Sequence, residues 1–235
     1  MGAVYKRELR AYFLSPVGYV FVGMFLMMSG AFFCLSTLYA GTTSLSMYFT
    51  YVLMSFVVLI PLATMRLFSE ERKMRTDQLL FTSPVSLWGL IAAKFFAAYT
   101  LFSATLLLSC VNFLFLSGKY GAINVPVMLA QLVGVLLIGG AFCAIGLFLS
   151  SLTENQLIAA LTSIGVILAM LALGFLTSGI QNTALRVFLK WFSIFDRFYT
   201  FSYGLFDFVS VIYYVTIALV FLFATVRVLE RRRWE

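Results

Sequence analysis

The residues of this chain that could do chemistry are concentrated in one internal stretch, residues 66–86, which reads RLFSEERKMRTDQLLFTSPVS and is called the central segment. It has an acidic-basic start and an apolar triplet, formed by Glu70, Glu71, Arg72, Leu79, Leu80 and Phe81. Charged groups beside uncovered apolar side chains are typical of a surface that recognises a partner. The alternative is that the triplet folds onto the membrane surface or onto the ends of the chain's own helices.

The sequence offers little for catalysis. It has no histidine, and Glu154, Asp196 and Asp207 are not placed to converge as a metal hydrolase requires. The three cysteines lack metal-ligand spacing, and Gly118-Lys119 lacks the surrounding pattern of a phosphate-binding loop. We therefore expect no catalytic residue, no metal site and no cofactor on this chain.

The elements that position the central segment are predicted transmembrane helices. The mean hydropathy is +1.03, and 11% of the residues are charged, against about 25% in soluble domains. Six apolar runs are long enough to cross a bilayer, at 17–40, 47–65, 87–116, 127–149, 157–177 and 209–226. We predict an all-α polytopic membrane protein with six transmembrane helices in a single domain, residues 1–235, and no further folded module. Because no Asp or Glu lies in the middle of a span, an ion-coupled carrier is disfavoured.

Two stretches outside the spans are amphipathic. Residues 2–14 predict a short basic helix that lies in the membrane interface and is stopped by Ser15-Pro16. Residues 178–208 predict an interfacial or re-entrant helical hairpin on the outer side, before the last span. The hairpin residues assigned to the outer interface are Arg186, Lys190, Trp191, Asp196 and Arg197. The alternative is an aromatic belt with no further role.

Charge distribution predicts the orientation. Eleven of the 16 lysines and arginines lie before span one, in the central segment or after span six, four lie on the other side, and Lys94 lies within span three. The positive-inside rule then places both termini and the central segment in the cytoplasm. Lys94 is predicted to snorkel towards the charged side rather than to serve a function, and Gln131 to bond between helices. The net charge of +7 indicates topology and lipid headgroups, with no nucleic acid partner.

Four pieces of the sequence, in order along the chain, carry a resemblance to a known family. They are KRELRAYFLSPVGYVF, TMRLFSEERKMRTDQLLFTSPVS, LKWFSIFDRFYTFSYGLFD and VRVLERRRW. Together they resemble the permease subunit of a type-2 ABC exporter, and more narrowly the gliding-motility-type branch. The family usually has Gly where this chain has Arg75, Glu where it has Gln78, and an Asp-His pair where it has Asp196-Arg197.

The resemblance implies a permease in the bacterial cytoplasmic membrane that pairs with a second or homologous permease and with two cytoplasmic ATPase subunits, which hold ATP and Mg. It implies that residues 2–14 are an interfacial elbow helix and that the central segment docks on the ATPase. The family pattern matches Glu70, Glu71, Arg72, Thr76, Leu79 and Leu80. A rival reading is a subunit that transmits ATPase motion to envelope or surface machinery without moving a substrate. A third is a lone channel or scaffold with no ATPase.

Overall fold

A computed structural model describes residues 2–41, 44–75, 86–113, 124–177 and 193–233 of the chain. The helices in these ranges are α1 (Gly2–Leu14), α2 (Pro16–Phe33), α3 (Ser46–Thr64), α4 (Arg66–Lys73), α5 (Leu87–Ser109), α6 (Val125–Leu152), α7 (Gln156–Thr177), α8 (Ile194–Ser202) and α9 (Phe208–Arg233). A π-helical turn, Cys34–Leu38, extends α2. No strand occurs in the described ranges, so the all-α prediction is confirmed.

Six stretches of the described chain are long and apolar enough to cross a membrane. They are Pro16–Leu38, Ser46–Lys73, Leu87–Phe113, Val125–Leu152, Gln156–Gly174 and Phe208–Arg232. Each overlaps one of the six predicted runs, so the number of spans and their order are confirmed. The second stretch includes α4, which means that the second span runs directly into the central segment.

Helix α6 is the centre of the bundle, and it packs against α3, α4, α5, α7, α8 and α9. Close packing is needed here because lipid provides no hydrophobic driving force between helices, so small residues that let backbones approach are favoured. Gly146 of α6 shows this directly, because a Cβ added there would overlap the side chain of Thr64 in α3. The spans formed by α3, α5 and α6 are mostly buried, whereas those formed by α2, α7 and α9 are largely exposed.

The predicted amphipathic helix at residues 2–14 is confirmed as a helix. Ser15 leaves the helical conformation (φ −95°, ψ 151°), and Pro16 begins α2, where its missing N–H is tolerated. Gly18 lies against the carbonyl group of Tyr12, in a space that no Cβ could share. This close approach lets α1 fold back beside α2 and pack against α5. That α1 lies in the membrane interface stays a prediction.

The bundle has two distinguishable ends. At one end, the Leu152 carbonyl oxygen accepts hydrogen bonds from Arg72 of α4 and from Arg232 of α9, and Arg7 of α1 pairs with Glu71 of α4. The first helix, the last helix and the described start of the central segment therefore share this end, which is called the basic end. Six spans between the first helix and the end of the last helix, and two spans before the central segment, place all three on the same side of the membrane. Which side of the membrane it faces stays a prediction.

Candidate functional site

Helix α4 is the described start of the central segment. The backbone passes into it from α3 without leaving the helical region, because Met65 keeps φ −54° and ψ −30°. Arg66 and Glu70 form a two-pronged ion pair, with Nε–Oε2 at 2.6 Å and Nη2–Oε1 at 3.0 Å, and this spacing stabilises a helix. Leu67 and Phe68 are buried. Helix α4 is thus an amphipathic continuation of the second span.

A serine of α6 holds the start of α4. The Ser150 hydroxyl accepts from the N–H groups of Phe68 and Ser69, both at 3.2 Å, and donates to the Met65 carbonyl oxygen at 2.8 Å. Three backbone groups at the α3–α4 junction are therefore hydrogen-bonded to one side chain of α6. Sequence reasoning missed Ser150, because a serine in an apolar run does not show which backbone it faces.

Arg75 follows α4 in a conformation that favours glycine. Its φ is +54°, in the left-handed region that costs a non-glycine residue about 1–2 kcal/mol. Its N–H group donates to the Arg72 carbonyl oxygen at 3.1 Å, which closes the end of the helix. The family that the sequence resembles usually has glycine at this position, and the positive φ is a physical reason for that preference.

Lys94 is the most deeply buried charge of the described residues, with 1% of its side chain exposed. Its ammonium group meets three acceptors, which are Glu71 Oε1 at 2.8 Å, Glu8 Oε1 at 3.3 Å and the Leu67 carbonyl oxygen at 2.7 Å. An ammonium has three N–H donors, so the number of acceptors equals the number of hydrogen bonds that it can donate. The snorkelling prediction is wrong, because α1 and α4 cover the end of this side chain and supply its partners.

Glu71 joins three helices through this contact. Its Oε1 accepts from Lys94 of α5 and from Arg7 of α1, the latter at 3.0 Å. Arg7 also contacts Glu8 at 2.6 Å, and its pKa is raised, chiefly by the hydrogen bond to Glu8. Arg7, Glu8, Glu71 and Lys94 are called the ion cluster. Glu71 is only 18% exposed, which favours an anchoring role within the chain.

Arg66 and Arg72 of α4 also have partners inside the protein. Arg72 contacts Glu154, in the connection between α6 and α7, with Nε–Oε1 at 2.9 Å. Arg66 contacts Ser15 at 3.4 Å in addition to Glu70. Helix α4 is therefore tied to α1, α5, α6 and the 153–155 connection at once. The structure brings Glu70, Glu71 and Arg72 to one end of the bundle, with Met74 exposed beside them.

Several predicted site residues lie outside the described residues: Thr76, Leu79, Leu80, Phe81, Arg186, Lys190 and Trp191. In the described part of the outer hairpin, Asp196 and Arg197 belong to α8. The Arg197 guanidinium stacks on the ring of Tyr213, 4.2 Å from its centroid. Helix α8 has 9 residues, too few to cross a bilayer. That the hairpin lies at the outer interface stays a prediction.

The opposite end of the bundle is held by hydrogen bonds. The Gln131 amide nitrogen donates to Ser46 Oγ of α3 at 2.8 Å and to the Ser202 carbonyl oxygen of α8 at 3.1 Å. The predicted interhelical role of Gln131 is thereby confirmed. Asp207 caps α9 by accepting from the Val209 and Ser210 N–H groups and the Ser210 hydroxyl, and the hydroxyl bond is the chief cause that lowers its pKa.

The comparisons with known proteins point to one family. A family model described as ABC-2 family transporter protein matches residues 35–229. The match covers helices α3 to α8, most of α9 and the whole central segment, and it begins after α1 and α2. A comparison with the curated proteins finds no match. Because the matched region is far more than half of the chain, this protein belongs to the ABC-2 family of transporter proteins.

Proposed function

We propose that this chain is the membrane-spanning permease subunit of an ATP-driven exporter of the gliding-motility-type branch. In this proposal two permease copies, or this chain and a homologous permease, form the translocation path in a bacterial cytoplasmic membrane. ATP and Mg are bound by two cytoplasmic ATPase subunits, which dock on the central segment. Membership of the ABC-2 family supports the permease role, and the six apolar stretches support a multi-pass membrane location.

The observation that carries the docking proposal is the anchoring of α4. Docking transmits force only if the docked segment is connected firmly to the spans. Helix α4 continues the second span, its Glu71 reaches α1 and α5, its Arg72 reaches the 153–155 connection, and Ser150 of α6 holds its start. Motion imposed on the central segment would thus reach five elements through direct contacts.

The proposed division of labour assigns anchoring to Glu71 and Arg72, which contact other elements of this chain, while Glu70 pairs with Arg66 within α4. It assigns partner contact to Thr76, Leu79, Leu80 and Phe81. The apolar triplet carries most of the binding energy in this proposal. Burying each of its side chains contributes about 1.5–3 kcal/mol, whereas an exposed ion pair contributes about 0–1 kcal/mol.

The test is copurification of the ATPase from solubilised membranes. The double variant Leu80→Ser/Phe81→Ser should lose its ATPase while its abundance in the membrane is unchanged, because neither substitution lies in a span. The matched control is Tyr203→Ser/Leu205→Ser, which removes two exposed apolar side chains (77% and 64% exposed) from the opposite end. The control should keep the ATPase. Full ATPase binding by the Leu80/Phe81 variant would overturn the docking proposal.

A further inference from the structure

Helix α1 has one face that is held against the bundle. The Tyr5 hydroxyl bonds with a threonine hydroxyl of α5 at 3.0 Å, and the Tyr12 hydroxyl donates to a carbonyl oxygen of α3 at 2.8 Å. Between them, Glu8 contacts Lys94 of α5 at 3.3 Å. Residues 5, 8 and 12 are three and four apart, so they lie on one side of the helix. These contacts fix which side of α1 faces away from the bundle.

The opposite side of α1 is exposed and cationic. It carries Ala3, Lys6, Arg10, Phe13 and Leu14, and it is called the exposed face of α1. Lys6 and Arg10 are about one helical turn apart, and neither forms an ion pair with a described residue. Glu8, the acidic residue of α1, lies on the held side with 12% of its side chain exposed. The exposed face of α1 therefore carries positive charge and no carboxylate.

The C-terminal end of this face continues into a surface that borders lipid. Phe13 is 46% exposed and Leu14 is 85% exposed. The Phe13 ring meets the ring of Tyr19 edge to face, with the centroids 6.3 Å apart. Tyr19 belongs to the first membrane-spanning stretch and is 64% exposed, and tyrosine is enriched where a span meets the headgroups. Lys6 and Arg10 thus lie within about two helical turns of a residue that marks this boundary.

We propose that the exposed face of α1 binds anionic phospholipid headgroups of the membrane, with Lys6 and Arg10 on the phosphates and with Phe13 and Leu14 among the upper parts of the acyl chains. Basic residues next to a span attract acidic lipids through their charge. A zwitterionic headgroup also brings an ammonium, which the two cations repel. The apolar end of the same face favours a lipid surface over an acidic protein, because it continues into a span. The face therefore selects lipids of net negative charge.

This inference goes beyond the proposed function and does not rest on it. It uses no residue of the central segment, and its measurement involves no ATPase. A lipid preference in a chain that binds no ATPase would overturn only the docking proposal. ATPase binding by a chain without the lipid preference would overturn only this inference.

The experiment measures which lipid lies beside α1. A fluorophore is attached to Ala3→Cys in the full chain, with Cys34, Cys110 and Cys143 replaced by alanine. The protein is reconstituted into phosphatidylcholine vesicles that contain a minor fraction of phosphatidylglycerol. A trace of either lipid carries the same quenching spin label on its acyl chain, close to the headgroup. Quenching by phosphatidylglycerol should exceed quenching by phosphatidylcholine about threefold or more, and added salt should reduce this excess.

A double variant tests the two cations. Lys6→Gln/Arg10→Gln should bring quenching by the two lipids to the same level. The matched control is Lys73→Gln/Arg227→Gln, which removes two exposed cations from α4 and α9 near the same end and should keep the excess. Each value is a ratio of two lipids around the same protein, so it does not depend on the folded fraction.

Three results would each overturn the proposal. The first is equal quenching by the two lipids in the parent, which would leave Lys6 and Arg10 to a protein partner. The second is an excess that the Lys6/Arg10 variant keeps or that salt does not change. The third is an equal loss of the excess in the Lys6/Arg10 variant and in the Lys73/Arg227 control, which would assign the preference to net charge rather than to this face.

Discussion

The two ends of the bundle satisfy their polar groups in different ways. At the basic end, formal charges from three helices meet in the ion cluster, around a lysine that is 1% exposed. At the opposite end, a neutral side chain joins the helices, as Gln131 of α6 donates hydrogen bonds to α3 and α8. Buried charges are costly to separate from their partners, whereas neutral hydrogen bonds between membrane helices contribute little each.

The difference matters for the proposed function. A segment that receives force from a partner must be joined to the spans by contacts that resist separation, and the ion cluster provides such contacts for α4. The opposite end needs only to hold α3, α6 and α8 in register. The following predictions test whether the two ends really differ in this way, and they run from the largest expected effect to the smallest.

Lys94→Met should be the most destabilising of these substitutions, by about 3–5 kcal/mol, because it removes the buried cation that two partly buried carboxylates share. The measurement is the free energy of unfolding in detergent. Lys6→Met is the matched control, because Lys6 is exposed on α1 and its loss should change stability by less than about 0.5 kcal/mol. Equal effects of the two variants would show that the ion cluster does not hold the basic end.

Glu71→Gln and Glu70→Gln compare two neighbouring carboxylates. Glu71 accepts from cations of two other helices and is 18% exposed, so its loss should cost about 2 kcal/mol. Glu70 pairs within its own helix and is 41% exposed, so its loss should cost about 0.5 kcal/mol or less. Thermal unfolding of the two variants side by side measures the difference. A larger effect at Glu70 would contradict the anchoring role assigned to Glu71.

Gln131→Ala should destabilise the opposite end by about 1 kcal/mol, in the range for hydrogen bonds between membrane helices. A double-mutant cycle with Ser46→Ala isolates the direct contact, which should show a coupling energy of roughly 0.5 kcal/mol or more. If the coupling energy instead exceeded that between Lys94 and Glu71, the contrast between the two ends would be reversed.

Arg75→Gly should be the one stabilising change, by up to about 1 kcal/mol. Glycine removes the cost of the left-handed conformation at φ +54°, and its greater freedom in the unfolded chain offsets part of that gain. Arg75→Ala is the control, because it removes the same charge but keeps the Cβ, and it should give no gain. Equal stability of the Gly and Ala variants would mean that backbone strain at position 75 is not significant.

Much of the architecture could be read from composition and pattern. The six spans, the helix at residues 2–14 and its stop at Ser15-Pro16 follow from local features, namely runs of apolar residues and a proline that ends one helix and begins the next. The role of Gln131 could also be anticipated, since a buried amide in a span must find partners on other helices. The order of residue types along the chain was enough to predict these features.

Lys94 shows where sequence reasoning stopped. Its distance from the charged end of span three is the same whether the side chain reaches water or an ion cluster. Only the packing of α1 and α4 over α5 decides between them, and that packing depends on contacts between residues 8, 71 and 94, which are far apart in sequence. The same holds for Ser150, because its role depends on which backbone groups of the α3–α4 junction lie against its hydroxyl.

By itself, then, the sequence determined what each segment is: which runs are apolar enough to cross a membrane, where helices stop, and which segment outside the spans carries charged and apolar residues together. These properties depend on neighbours within a few residues, so they are readable along the chain. Only the tertiary structure decided which charges meet, because burial and pairing depend on distances between segments. It is this pairing that makes α4 an anchored part of the bundle.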